Sequence, residues 1–221
     1  MHRYRFFWGF WVVGIVGLMG MMGLPAWASP TAEVVDIPEE PVFWAQPPQT
    51  EAPAEVGTQV QTGGYLRTAS PGKAQVLLSD GMAFRLGGDA VLEITDEELR
   101  LTQGQIIAWV NPDSEGSLLR IQTPMATAAI RGTTVFIDLD EQGCRIFSWE
   151  GEVEISLQDG SDSVLLQTGE EILVEIGMTQ LPSPEPIERA VVQARFEESE
   201  LLNGFGAEMS TLETIQELLL P

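Results

Sequence analysis

From Gly57 to Met178 apolar side chains recur at every second position, and glycine breaks the pattern each time it has run for a few residues. Met82, Phe84 and Leu86 alternate with Ala83 and Arg85. Val153, Ile155 and Leu157 alternate with Glu152, Glu154 and Ser156, and Ile172, Val174 and Ile176 repeat the habit. A period of two turns one side of an extended chain toward a core, which a helix cannot do with the same residues. Asp80-Gly81 and Asp159-Gly160 are the dipeptides favoured in tight hairpins, and Gly104, Gly116, Gly143, Gly151 and Gly169 separate further runs. The spacing predicts about ten short strands and an all-β domain over residues 57–178, solenoid-like or sandwich-like in arrangement. Segments opening on Gly104, Gly151 and Gly169 echo one another, but their intervals of 47 and 18 residues are unequal, so the pattern is irregular stacking of hairpins and not a regular repeat.

The flanks have a different character. Residues 1–28 read as an export signal: Arg3 and Arg5 form a basic start, Phe6 to Leu24 is apolar, and Ala26-Trp27-Ala28 is a small-residue cleavage site before Ser29. The alternative is an uncleaved anchor, because about 20 apolar residues can span a bilayer. Membrane contact is expected in that alternative alone. Residues 29–56 are rich in Pro, Glu, Ala, Gln and Thr and read as a disordered or extended linker, interrupted by Val42-Phe43-Trp44, which docks on the domain or on a partner. Residues 179–221 read as a helical tail. Ile187, Ala190, Val191, Ala194 and Leu201 share one helical face, and Ser210-Thr211-Leu212-Glu213 reads as a capping box for a second short helix lined by Leu212, Ile215, Leu218 and Leu219.

Charge and residue usage exclude much chemistry. The formal net charge is −22, and loss of Arg3 and Arg5 with the signal would make it −24. So acidic a surface repels phosphate backbones, which argues against nucleic-acid partners. The one histidine, His2, lies in the signal segment, so the exported chain has no histidine for Cys-His or Ser-His-Asp catalysis or for a histidine-bound zinc. Cys144 is the one cysteine; no internal disulfide is possible, and its place in a strand reads as a small buried hydrophobe. Lys73, the one lysine, lies in Ser70-Pro71-Gly72-Lys73 and reads as part of an exposed turn. Paired carboxylates are a remaining catalytic device, but no pair stands out by spacing. No catalytic, metal or cofactor residue is assigned, and no cofactor is expected.

Gly63-Gly64-Tyr65-Leu66-Arg67-Thr68, Val76-Leu77-Leu78-Ser79-Asp80-Gly81, Leu101-Thr102-Gln103-Gly104, Thr123 to Phe136, and Trp149-Glu150-Gly151-Glu152-Val153 followed by Gly169-Glu170 resemble the FecR domain family in order and spacing. The resemblance covers roughly residues 57–178. It implies a periplasmic all-β module without catalysis, related to envelope-spanning regulators that receive a signal from an outer-membrane siderophore transporter and control a sigma factor. The signature residues carried over are Asp80, Gly81, Gly104, Thr123, Pro124, Arg131, Gly132, Thr133, Gly151 and Gly169, each read as structural. About five residues precede the apolar run, and the long carboxy-terminal signalling part is not recognisable, so the resemblance implies the module standing alone. The expected function is protein–protein contact in envelope signalling or organisation, with an envelope protein as partner and a periplasmic or secreted location. The alternative is a glycan- or cation-binding envelope protein.

Within Thr123–Asp140, Ala126, Ala128 and Ala129 allow close approach of backbones and Gly132 marks a bend. Arg131 beside that bend is expected to fasten it by reaching a carboxylate or free carbonyls, and the alternative is an anion site made with Thr133. Asp138, Asp140 and Glu141 read as an acidic hairpin tip, because the spacing lacks a full calcium loop. Trp109, Phe136, Phe147 and Trp149 read as packing residues, with an aromatic sugar platform as the alternative.

Overall fold

The computed structural model describes residues 31–78, 81–111, 114 and 116–219. The chain begins with β1 (Thr31–Glu39), β2 (Val42–Ala45), β3 (Ala52–Pro53), β4 (Gln59–Gln61), β5 (Tyr65–Thr68) and β6 (Lys73–Leu78). It continues with β7 (Met82–Leu86), β8 (Val91–Ile94), β9 (Leu99–Val110), β10 (Leu119–Gln122), β11 (Ala126–Ile130) and β12 (Thr134–Leu139). Then come β13 (Gly143–Glu150), β14 (Val153–Leu157), β15 (Ser163–Leu166), β16 (Glu170–Glu175) and β17 (Glu185–Pro186). Three helices close the chain: α1 (Arg189–Glu198), α2 (Glu200–Asn203) and α3 (Leu212–Leu219).

The strands form two sheets that are not closed into a barrel. One runs β4-β1-β6-β7-β9-β12-β13-β16-β17 and the other β3-β2-β5-β8-β9-β10-β11-β14-β15. Strand β9 belongs to both. Its first half pairs with β8 and its second half with β7 and β12, so one chain segment passes from sheet to sheet. The inner faces pack on each other as a sandwich, with Phe84, Leu92, Leu101, Ile106, Ile121 and Ile146 among the buried residues of its core. The alternation seen in the sequence sorts this core from a second one. In β9, Ile106, Ala108 and Val110 face the sandwich interior, while Ile107 and Trp109 join a second cluster under the helices.

The transfer of β9 has a local cause. Opposite Val91 and Leu92 of β8 stand Gln103 and Leu101, so Thr102 is an extra residue and the strand bulges there. Two residues later Gly104 has φ of 84°, where a side chain is strained, and a Cβ there would collide with the backbone of Ala90 and Asp89.

Two expectations change. Residues 31–53 are not an unpacked linker: Ala32 and Val34 are wholly buried, and β1 lies between β4 and β6. Averaged over the stretch, the composition looks disordered, but its few apolar residues alternate, and Pro38 falls where the β1–β6 register shifts, so it breaks no regular ladder. Val42 is buried in β2, and Phe43 and Trp44 pair with β5, so the aromatic interruption docks at home. Residues 57–178 hold thirteen described strands, β4 to β16, where about ten were expected. The export-signal reading of residues 1–28 and the role of Asp80 fall outside the described residues.

Replacing Gly104 with Ala is expected to lower unfolding stability by about 3 kcal/mol, read by urea denaturation, because strain and collision act together. A change under about 0.5 kcal/mol would mean that the bend does not depend on this glycine.

Candidate functional site

Sheet one presents an outer face built from alternate residues of β6, β7, β9, β12, β13 and β16. Ala83, Ile107, Trp109, Phe147 and Trp149 supply its apolar surface, and Val192, Leu201, Leu202, Met209 and Ile215 of the tail cover it. Phe147 and Trp149 meet edge to face with ring centroids 4.9 Å apart, and Phe196 of α1 approaches Trp149 the same way at 6.2 Å. Burial of these rings under the helices leaves no exposed aromatic platform for a sugar; Trp109 is 2% exposed and Trp149 4%.

At the centre lies Arg85, 1% exposed. Its Nη1 donates to the carbonyls of Leu201 (2.8 Å) and Leu202 (2.9 Å), Nη2 to the carbonyl of Ala207 (2.9 Å), and Nε to Gln75 Oε1 (2.8 Å). Gln75 in turn donates through Nε2 to the carbonyl of Glu208 (2.9 Å). The guanidinium lies over Phe205 at 4.4 Å and over Trp109 at 5.6 Å. Burial brings its pKa down to about 10, with the Asp36 charge opposing, so it stays charged at neutral pH. A cation placed on the last carbonyls of α2 satisfies groups that the helix leaves unpaired. From the complementary side, Asp36 accepts from the backbone N–H groups of Gly206 (2.7 Å) and Ala207 (2.8 Å).

Ion pairs ring this centre. Lys73 bridges Glu39 (3.2 Å) and Glu200 of α2 (2.7 Å), and Glu171 of β16 receives both Arg145 of β13 (2.8 Å) and Arg195 of α1 (2.5 Å). Lys73 is therefore buried and does not stand in an exposed turn: it opens β6, where its stem is covered and its ammonium reaches two carboxylates. A further polar cluster joins β12 to the start of α3. Thr134 Oγ1 lies 2.8 Å from Thr211 Oγ1 and 3.1 Å from Glu150 Oε1. Burial raises the Glu150 carboxyl above the usual range, with the Thr134 hydrogen bond opposing. Ile215 N–H bonds to the Thr211 carbonyl at 3.0 Å, so Thr211 and not Ser210 precedes the first turn of α3.

The signature residues lie at corners instead. Gly81 turns β6 into β7, its N–H bonded to the Leu78 carbonyl (3.3 Å). Thr123 closes the β10–β11 turn: its hydroxyl donates to the Ala126 carbonyl (2.9 Å) and accepts from Ala126 N–H (3.1 Å), with Pro124 inside that turn. Gly151 N–H donates to Thr168 Oγ1 (2.8 Å), and Gly169 N–H to the Ser148 carbonyl (2.8 Å), tying the β13–β14 and β15–β16 corners together. Gly104 makes the bend in β9. Arg131 and Gly132 form the exposed bend between β11 and β12, and Thr133 is buried with its hydroxyl unpaired among the described residues. The fastening role expected of Arg131 is not seen: among the described residues no hydrogen bond or ion pair reaches its guanidinium. Carbonyls are gathered by Arg85, which the alternation alone marked only as an outward-facing strand residue.

A second feature is an open cleft of about 1060 Å³ at the hairpin-tip end, lined by Asp89, Asp138, Asp140, Glu141, Asp159 and Glu175 and, among the described residues, by no lysine or arginine. Burial pushes the Asp138 carboxyl up, Asp140 adds to this, and a Gln105 hydrogen bond opposes it. Asp140 Oδ1 accepts from Gln142 N–H (2.7 Å) and Gly143 N–H (3.1 Å), which is the acidic hairpin tip expected. Among the described residues no group of three or more His, Cys, Asp or Glu has metal-binding geometry. Cys144 is wholly buried, and burial pushes its thiol up to about 12, so it is no nucleophile at neutral pH.

Two variants check this assignment of contacts. Arg85→Met, which leaves three tail carbonyls and Gln75 Oε1 without their donor, is expected to cost about 1 kcal/mol in urea denaturation, and a neutral result would sink the central role of this side chain. Glu150→Gln tests the sign of a raised carboxyl pKa: the acid form is favoured by folding, so the stability that Glu150 contributes is present at low pH and is lost as pH rises through its folded pKa. The stability difference between Glu150→Gln and the parent should therefore grow in favour of the variant from pH 4 to pH 8. A pH-independent difference would contradict it.

Comparison with known proteins fits this geometry. Residues 64–154, from Gly64 before β5 to Glu154 in β14, match the family model described as FecR protein. No protein of curated function matches the chain. Two crystal structures provisionally described as an anti-sigma factor from Parabacteroides distasonis, at 1.65 Å and 2.50 Å, are similar in fold. The first has 19% identity and a TM-score of 0.50, with 61% of this chain and 65% of that chain covered; the second has 20% identity and a TM-score of 0.49, with 61% and 64% covered. The chain thus spans just under two thirds of those proteins. The matched residues 64–154 are thus similar to the FecR family model, and strands before them and strands and a helical cover after them extend the fold.

Proposed function

We propose that this protein is a non-catalytic exported module whose FecR domain makes protein–protein contacts in envelope signalling or organisation. The observation that carries the reading is the FecR match over residues 64–154. Residue chemistry supports it. A chain whose one histidine is His2 and whose one thiol is buried and protonated lacks the usual nucleophile and base. The description of the similar Parabacteroides protein as an anti-sigma factor points to a protein partner for that relative, and by likeness of fold favours the same class of partner here. A periplasmic or secreted location rests on the basic, apolar and small-residue segments of residues 1–28; no described helix is long and apolar enough to cross a membrane. Domain limits of 1–28, 29–56, 57–178 and 179–221 are kept as units of function, although strands from the second and helices from the fourth pack on the third.

Photo-crosslinking in intact cells tests the reading. A crosslinker at Leu77 or Leu165, apolar side chains 45% and 46% exposed, is expected to trap one discrete envelope protein, and mass measurement should show a mature chain starting at Ser29. Absence of any protein adduct from both positions, or a cytoplasmic full-length product, would overturn it.

A further inference from the structure

The tail covers the outer face of sheet one by an interface of uneven quality. Beneath it lies a surface of the kind that dominates protein–protein binding: Trp109, Phe147 and Trp149 around a desolvated arginine. The cover sits closely at α2 and α3, where Leu201, Leu202 and Ile215 are buried, and more loosely at α1. Helix α1 buries Val192 and leaves Val191 42% exposed. An open cleft of about 630 Å³ runs where α1 and α2 meet the sheet, bordered by Phe136, Phe147, Trp149, Arg195 and Leu201, so solvent reaches the margin of the cover on this side. The buried indole N–H of Trp149 has no partner among the described residues, a loss that a closer-fitting helix could repair. The attachments at the rim are charged and partly solvated: Glu200 is 71% exposed in its pair with Lys73, and Arg195 is 36% exposed in its pair with Glu171. Such pairs weaken as salt rises. The tail is joined to β16 through a segment with Pro182, Pro184 and Pro186, held by the two residues of β17 on the sheet and by Leu181 N–H on Asp162 Oδ2 (2.8 Å).

We propose that residues 187–219 are a detachable cover, and that the face around Arg85 is a docking site for an amphipathic helix of a protein partner, which replaces the tail there. The recognition chemistry is written in how the tail binds. Arg85 takes the carbonyls at the carboxy-terminal end of a short helix, Lys73 takes a carboxylate at its amino-terminal end, and paired leucines like Leu201 and Leu202 fill the aromatic floor. The partner helix is therefore acidic at its start and leucine-rich on one face. This site deepens the protein-contact reading, but detachment of the tail is tested without any partner.

Hydrogen–deuterium exchange on the full chain reads detachment directly. The amides of α1 and α3 should exchange at least 10-fold faster than those of β9 and β12, and raising NaCl from 0.05 to about 1 M should accelerate the helices several-fold and leave the strands unchanged. Arg195→Gln should act like salt, on the helices alone. Helices and strands that exchange at one common rate, with one common response to salt and to the variant, would overturn the proposal. The docking half is read with a fluorescent synthetic peptide of residues 187–219. It should bind Arg195→Gln more tightly than the parent protein, because the cis tail competes less. Equal or absent binding to both, with fast exchange intact, would discard the docking site while leaving the detachable cover.

Discussion

Everything in this molecule hangs on one strand changing sheets. The twelve residues of β9 enter in one sheet beside β8, bulge at Thr102, bend at Gly104, and leave in the other sheet between β7 and β12. A sandwich made from two unconnected sheets would rely on packing alone to set their relative position. Here a continuous backbone fixes it, and residues one position apart on the second half of β9 serve two different cores, Ile106 the sandwich and Ile107 the helix-covered face. Glycine is required at the bend because a positive φ coincides with close approach of the Ala90 backbone.

The second core has a polar centre, and this gives the tail its character. Burying a guanidinium is costly unless each donor finds an acceptor, and Arg85 finds three tail carbonyls and Gln75. Removing the tail would return that charge to solvent, where it is well hydrated. The tail is thus positioned with high specificity at a modest net gain, unlike the sandwich interior, where removal of apolar neighbours has no compensating hydration. Ion pairs add to this attachment at the tail's rim, where Lys73 meets Glu200 and Arg195 meets Glu171, while Arg67–Glu51 and Arg100–Glu93 lie away from the tail.

Much of the β domain could be read from residue order. Met82, Phe84 and Leu86 face the sandwich as their alternation requires, and Asp159-Gly160 makes its hairpin, with Asp159 Oδ1 accepting from Ser161 N–H at 3.0 Å. The glycine echo at Gly104, Gly151 and Gly169 marks corners of positive φ and no repeat, since the strands after Gly104 and Gly169 lie in one sheet and the strand after Gly151 in the other. Over residues 29–56 a composition average hides Ala32 and Val34, two apolar positions on a strand that gains its order from β6. Local motif context points to Arg131, whereas Arg85 acquires its tail partners from residues 201 to 207, more than a hundred positions away.

Residue order by itself determined the period, the corners and the helical character of the tail, because each depends on side-chain type and on neighbours within a few positions. The tertiary structure alone decided that the outer face of one sheet would be covered by the tail, that β1 would be held between β4 and β6, and that Arg85 would be the cation at the middle of the covered face. Those outcomes are settled by partners distant in the chain, whose burial and hydrogen bonding exist only once the two sheets and the helices have come together.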